Sequence, residues 1–523
     1  MHLSAILLAV SLLSCIRPEK KDEESASDSP TQPDTGSNSD SAADSDSSAD
    51  TPGDSDSGGD SDSGIETPDW DLDEADAKLL GENAGDTICD PRYPASHLSL
   101  SGGGDAGGDG LPDILVGVQC AGEKSPGVTW LVASPVSGRR SLSTATARFT
   151  GESSNARSGF SVAFAGDTNA DGWDDIIIGA PLERDCGEGA AYVVLGPVVG
   201  DFSLADADAK LDGVYFNPDP HSYGYASTGE KVARAGDTDG DGLSDILVGA
   251  PNYGTSYGAG AVFLVRGPVA GRYSLFEDSE AVLSMEWPVW SIGQSLAPAG
   301  DVNGDSYDDF LVGANGWAFL FLGPISGSIE SLDAETVFDS IVTFPGPMNV
   351  ASAGDVDGDG YLDVMVGLRG HDVGSGDDNA GAVFLVHAPG PGWFEIESVG
   401  LMLEGAEGDM AAIPSSAGDI NGDGLDDVVI GAPQVGFDSG SSGPGITYVV
   451  LGPIHGPMSL PDEADFRLRG NGIDLAGSSV STAGDMDGDG MGDILIGGPG
   501  DDEAGEYAGA TWLMLGATLA ARL

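Results

Sequence analysis

From Trp70 onward the chain alternates short apolar runs with clusters of Gly, Pro, Asp and Asn, and the alternation keeps one rhythm to the end. A clear unit has a small-residue run at 160–165, an Asp-rich stretch, and Ile176–Ile178 leading into Gly179-Ala180-Pro181. A further run at 191–195 and a Gly196-Pro197 turn complete its patterned part. Runs this short could be pieces of core helix, but they are β-branched and bracketed by Gly and Pro, which favours strands. After the turn comes a weakly patterned stretch ending in Lys210-Leu211-Asp212-Gly213, assigned to the outer edge of the unit. Seven units follow one another, their Asp loops starting 54 to 70 residues apart at Asp105, Asp167, Asp237, Asp301, Asp355, Asp419 and Asp485. That spacing holds four strands with generous loops. The pattern predicts an all-β, seven-bladed β-propeller of four-stranded blades with calcium loops over residues 69–523.

The ends of this region suggest how the ring closes. Ala77-Lys78-Leu79-Leu80-Gly81 looks like the outer-edge motif at Lys210, and the chain stops soon after Thr511 to Leu515, which looks like a third strand. Residues 76–81 are therefore expected to form the outer strand of the last blade, hiding an edge that would otherwise aggregate.

Each loop places carboxylates or amides at fixed offsets. A hard cation of calcium's size takes six to eight oxygens, and a tight loop with acidic side chains at positions 1, 3, 5 and 9 and a backbone carbonyl at position 7 turns them toward one point. The second loop supplies Asp167, Asn169, Asp171 and Asp175, and the third Asp237, Asp239, Asp241 and Asp245. The fifth supplies Asp355, Asp357, Asp359 and Asp363, the sixth Asp419, Asn421, Asp423 and Asp427, and the seventh Asp485, Asp487, Asp489 and Asp493. In the fourth, Asp301, Asn303, Asp305 and Asp309 are kept, but Ser306 stands where the others have a turn glycine. The first keeps Asp105, Asp109 and Asp113 and has Gly107 at position 3, which makes it the weakest site. Asp and Gly are common in plain turns. Turn chemistry alone does not require four such groups in register seven times, so up to seven structural Ca²⁺ ions are expected.

The units resemble the FG-GAP repeat of integrin α-subunit propellers over residues 75–516. Gly179-Ala180-Pro181, Gly249-Ala250-Pro251 and Gly431-Ala432-Pro433 match the GAP element, which drifts to Gly313-Ala314-Asn315, Gly367-Leu368-Arg369, Gly497-Gly498-Pro499 and Gly117-Val118-Gln119 elsewhere. The FG element is inverted at Gly159-Phe160 and largely absent from later units. The resemblance implies a ligand-binding or adhesion module.

Composition matters most at the N-terminus. Residues 3–13 are apolar but too few to span a bilayer, as in the core of a secretory signal, and Leu12-Leu13-Ser14-Cys15 resembles a bacterial lipobox. Residues 1–14 are expected to be a lipoprotein signal, with Cys15 acylated as the new N-terminus; plain secretion is the alternative. Residues 15–68, rich in Ser, Asp and Gly, lack apolar side chains to bury and are expected to form a disordered acidic tether. The net charge of −66 opposes nucleic acid and anionic headgroups, so membrane contact is expected only through the lipid. Beyond Cys15, a bridge is open between Cys89 and Cys120 or between Cys120 and Cys186, toward one face of the ring.

Little in the sequence points to catalysis. The six histidines stand at no zinc-like spacing and read as ordinary loop residues, and there is no nucleophile elbow. A calcium-dependent polysaccharide lyase would need a basic residue such as Arg234 or Arg369 in a groove. The expected function is binding of a protein or glycan ligand by a monomeric propeller, with a passive envelope lipoprotein as the alternative. Tyr215, Phe216, Tyr223 and Tyr225 form an aromatic insertion suited to ligand contact.

Overall fold

The continuous apolar runs are strands buried on both faces. Each unit's second strand, such as Asp175–Ala180 or Asp245–Ala250, is buried at every position, which is why its sequence does not alternate. Its odd and even residues point into different interfaces: Ile176 and Ile178 pack toward Leu115 and Phe149 of the preceding blade, whereas Ile177 packs with Ile246 and Phe263 of the following one. Every core layer thus lies between two neighbouring sheets.

The computed structural model describes residues 69–87, 98–183, 188–213, 226–254, 259–285, 291–342, 346–372, 379–434 and 443–523. The innermost strands are Ser99–Gly104, Ser161–Gly166, Lys231–Gly236, Ser295–Gly300, Met348–Gly354, Ile413–Gly418 and Ser479–Gly484. Each packs against the next and the last against the first, giving a closed seven-bladed propeller. In blade 2, antiparallel strands Ser161–Gly166, Asp175–Ala180, Ala190–Val194 and Ala209–Asp212 follow in order from the centre outward. The other blades repeat this arrangement.

The four-stranded expectation is met, with an addition: every sheet has a fifth strand, contributed from outside the blade's own four. Gly271–Ser274, which belongs to the third unit, runs parallel to Ala209–Asp212 of blade 2, and Gly200–Ser203 of the second unit runs parallel to Ala147–Thr150 of blade 1. The added strands occupy the weakly patterned stretches. Gly200–Ser203 is exposed at all four positions, so no buried face marks it in the sequence.

The N-terminal segment closes the ring. Ala77–Leu80 pairs antiparallel with Ala510–Met514 as the fourth strand of blade 7, and Asp69–Asp71 pairs parallel with Phe466–Arg469 as the fifth strand of blade 6. One segment therefore joins two blades. Trp70, Leu72 and Leu79 are buried by it, and Lys78, 5% exposed, reaches Asp501 at 2.7 Å and Glu503 at 2.9 Å.

The GAP glycine has a steric reason. A Cβ on Gly179 would lie 2.0 Å from the carbonyl oxygen of Gly229, where the next blade's inner strand begins, and Gly229 in turn donates its N–H to the Gly249 oxygen at 2.9 Å. The first glycine of the FG element also persists where its phenylalanine is lost. Gly229, Gly293 and Gly477 adopt φ of +82° to +89°, as Gly159 does at +77°. The element is therefore less depleted than its side chains suggest.

Cys15, the tether and the aromatic insertion at Tyr215, Phe216, Tyr223 and Tyr225 lie outside the described residues, as do Cys89 and Cys186. Cys120, common to both bridges considered, is disulfide-bonded. Among the described residues no helix is long and apolar enough to cross a membrane.

Candidate metal centres

Each Asp loop joins the innermost strand to the second, and in all seven blades the register shifts just before it. This bulge turns the chain out of the sheet and aims the first aspartate into the loop. In the third loop Asp237 Oδ1 accepts from the N–H groups of Gly240 (2.7 Å) and Asp241 (3.1 Å), and Oδ2 from Gly242 (2.9 Å). The same three bonds recur on Asp105, Asp301, Asp355, Asp419 and Asp485. Position 5 then accepts from the N–H of position 7, as Asp241 does from Leu243 at 2.9 Å. The loop backbone thereby folds round its own acidic side chains.

Carboxylate oxygens converge as a result. Oxygens of Asp237, Asp239 and Asp241 lie within 4.8 Å of one another, as do those of Asp355, Asp357 and Asp359, and those of Asp485, Asp487 and Asp493. In the second, fourth and sixth loops an asparagine replaces the position-3 carboxylate, and its amide donates to position 5: Asn169 to Asp171 at 2.9 Å, Asn303 to Asp305 and Asn421 to Asp423 at 3.0 Å. Three hard oxygens within reach of one point, on a loop that adds a backbone carbonyl at position 7, suit a divalent cation held by oxygen. The first loop fits less well. Gly107 offers no side-chain donor, and its N–H takes Asp113 Oδ2 at 2.6 Å, one residue later than in the other loops.

Position 9 has a second task. Asp175, the first residue of its strand and fully buried, accepts from Thr168 N at 3.0 Å on Oδ2 and from Gly196 N at 2.9 Å on Oδ1. It clamps the loop, the second strand and the turn after the third strand together. Asp309, Asp427 and Asp493 repeat the clamp on Val302 and Gly323, Ile420 and Gly452, and Met486 and Gly516. Burial pushes these carboxyls up, to about 6 for Asp113, Asp245 and Asp309 and about 7 for Asp427 and Asp493, against the opposing pull of the N–H donors and with added repulsion from the loop's other carboxylates. A nearby cation would favour their charged form.

The loops also touch one another. The N–H of position 8 donates to the position-1 carbonyl of the preceding loop: Asp174 to Asp105 (3.2 Å), Ser244 to Asp167 (3.0 Å), Asp308 to Asp237 (3.0 Å), Asp426 to Asp355 (3.1 Å) and Gly492 to Asp419 (2.7 Å). At the closing junction Pro112 occupies position 8 and has no N–H to give. At three junctions the position-8 side chain adds a second bond, as when Asp308 Oδ2 accepts from Asp237 N at 2.8 Å.

Two backbone positions carry strain. Ser306 holds φ +74° where six loops have glycine, and Ala170 holds φ +61° at position 4, where the other six also have glycine. Ser306 and Ala170 both stand out when the seven loops are aligned by sequence, each as a single exception among glycines. Left-handed backbone costs a non-glycine residue about 1 kcal/mol. Ser306→Gly and Ala170→Gly are each expected to stabilise the protein by about that amount, read by denaturant unfolding with unchanged m-value; a loss of stability would refute the strain.

Two further groups reach the loops: Arg266, and His387, which was expected to be an ordinary loop residue. Arg266 Nη1 lies 3.1 Å from Asp239, and His387 Nδ1 lies 3.1 Å from Asp363 and 3.3 Å from Asp357. Neither has a local spacing that announces it.

Comparison with known proteins places this architecture. The FG-GAP repeat model matches residues 158–194, 229–265, 292–324, 415–450 and 476–514, which are blades 2, 3, 4, 6 and 7. Five of the seven blades of this β-propeller are FG-GAP repeats. The two blades that the repeat model does not match are the first, whose loop has no side-chain ligand at position 3, and the fifth, which has Gly367-Leu368-Arg369 where the GAP element stands elsewhere. The chain is 34% identical to chicken (Gallus gallus) integrin alpha-V over 224 residues, covering 41% of this chain and 19% of that protein. It is 34% identical to Xenopus laevis integrin alpha-5 over 178 residues (32% and 16%) and 35% identical to human integrin alpha-IIb over 177 residues (32% and 16%). These matches span less than a fifth of those relatives' length. Among solved structures, BBS1N in complex with ARL6DN aligns at 10% identity with a TM-score of 0.43, covering 82% of this chain and 95% of that one, too slight a likeness to argue from.

Proposed function

We propose that this FG-GAP propeller is a calcium-stabilised binding module, exported and anchored through Cys15, which presents a protein or glycan ligand surface at the end of the tether formed by residues 15–68. The observation that carries the reading is the convergence of carboxylate oxygens in the third, fifth and seventh loops, within 4.8 Å and with no basic partner common to all three. Such like charges repel unless a cation joins them. Positions 1, 3 and 5 with the position-7 carbonyl would hold Ca²⁺, and position 9 would complete the set while clamping the strands. The cation supplies charge neutralisation and loop rigidity, a structural role.

Binding rather than turnover is favoured by where the polar groups go. The most displaced carboxyls of the loops are the position-9 clamps, which are engaged by backbone N–H groups on both oxygens. Kinship to integrin α chains supports a ligand-binding role, and the aromatic insertion at Tyr215, Phe216, Tyr223 and Tyr225 is the proposed contact. Calorimetric titration of the full chain with Ca²⁺ is expected to find five to seven ions. Glycan-array and protein-array binding is expected to need calcium and to weaken at least about tenfold on changing Tyr223 and Tyr225 to Ala. Absence of calcium uptake would overturn the metal assignment, and undiminished binding by the double variant would overturn the contact loop.

A further inference from the structure

One position per blade looks into the loop from the neighbouring strand: the residue just before the turn that the position-9 aspartate clamps. It is Ala133, Leu195, Arg266, Leu322, His387, Leu451 and Leu515 in blades 1 to 7. Its placement opposite position 3 is visible in three blades. The Ala133 Cβ lies 3.3 Å from where Gly107 would carry one, Arg266 meets Asp239, and His387 meets Asp357. Four blades fill this place with leucine.

Arg266 alone brings a permanent positive charge there. Its guanidinium lies 3.1 Å from Asp239 Oδ2 and 3.4 Å from Glu280 Oε1, and it donates to the Ile325 carbonyl of the neighbouring blade at 3.2 Å. Anchored on both sides, it is held beside the loop rather than free to swing into solvent. We propose that Arg266 is a resident cation of the third loop, so that this loop, despite its complete ligand set, takes a divalent ion least readily among the five complete loops. The inference rests on the calcium reading above and grades the sites within it. Arg266 occupies one oxygen of a required ligand, and any ion seated among Asp237, Asp239 and Asp241 faces it across a few ångströms. Even with the full dielectric of bulk water between them, repulsion between a divalent ion and one positive charge at that separation corresponds to a loss of at least roughly tenfold in affinity.

The test uses the full chain and Tb³⁺, a calcium-sized ion whose emission is sensitised by a tryptophan beside it. Trp173 is the natural reporter at position 7 of the second loop, and Leu243→Trp places the same reporter in the third. In the Leu243→Trp background, Arg266→Leu is expected to tighten Tb³⁺ and competing Ca²⁺ at the third loop about tenfold. Conversely, Leu195→Arg should weaken the Trp173 signal about tenfold, with the melting curve in chelator checking that each variant folds. If ions bind and neither exchange moves its site, the assignment to Arg266 falls while the calcium reading stands. If the unaltered chain binds no Tb³⁺ or Ca²⁺ at any loop, both fall.

Discussion

Deleting residues 69–81 is expected to lower the melting temperature by about 10 °C or more and to make the protein self-associate. The segment carries Trp70, Leu72 and Leu79 into the core, and burial of large apolar side chains contributes roughly 1.5–3 kcal/mol each. Their sum is comparable to the whole net stability of an ordinary domain. Removal also strips the outer edge of Ala510–Met514 and the parallel partner of Phe466–Arg469, leaving unpaired N–H and C=O groups as a template for another chain. A point variant separates the ionic part from the strand. Lys78→Ala leaves Asp501, 3% exposed, without its partner, and truncating one side of a buried pair costs about 3–5 kcal/mol. Denaturant unfolding that shows neither loss would mean that the ring does not depend on this closure.

The second large effect is that of metal removal. Where an ion binds only the folded state, a site filled at one hundred times its dissociation constant contributes about 2.7 kcal/mol, and several sites act together. Withdrawal also releases the repulsion among the converged carboxylates, for instance those of Asp355, Asp357 and Asp359. Chelation is therefore expected to lower the melting temperature by about 15 °C or more, with recovery on adding Ca²⁺. The position-8 bonds between neighbouring loops should make the loss cooperative, appearing as one broad transition rather than independent steps. An unchanged melting curve in chelator would leave the loops as hydrogen-bonded turns and end the structural role proposed for calcium.

Much of this was legible beforehand because burial has a period. The second and third strands are buried along their length, so Ile176–Ile178 and the run near Ala191 mark themselves, and the structure places them within Asp175–Ala180 and Ala190–Val194. The repeated Asp loops announce the blade count, and the likeness of Ala77–Gly81 to the Lys210 motif announces the closure. Exposed fifth strands such as Gly200–Ser203 carry no such mark, and their parallel pairing reaches into a different blade.

Sequence alone determined the elements whose signal is local: seven units, their strand order, the spacing of the carboxylates and the identity of the closing segment. These follow from side-chain periodicity and turn chemistry within a few residues. The closed ring decided the rest. It brought Arg266 and His387 against loops that lie more than twenty residues earlier in the chain, made position 9 a clamp between three segments, and hydrogen-bonded five of the loops to the peptide unit of the preceding one. Those neighbours are chosen by how two sheets stack and how the chain returns from the third strand, and residues so far apart in sequence share no period that could reveal the contact.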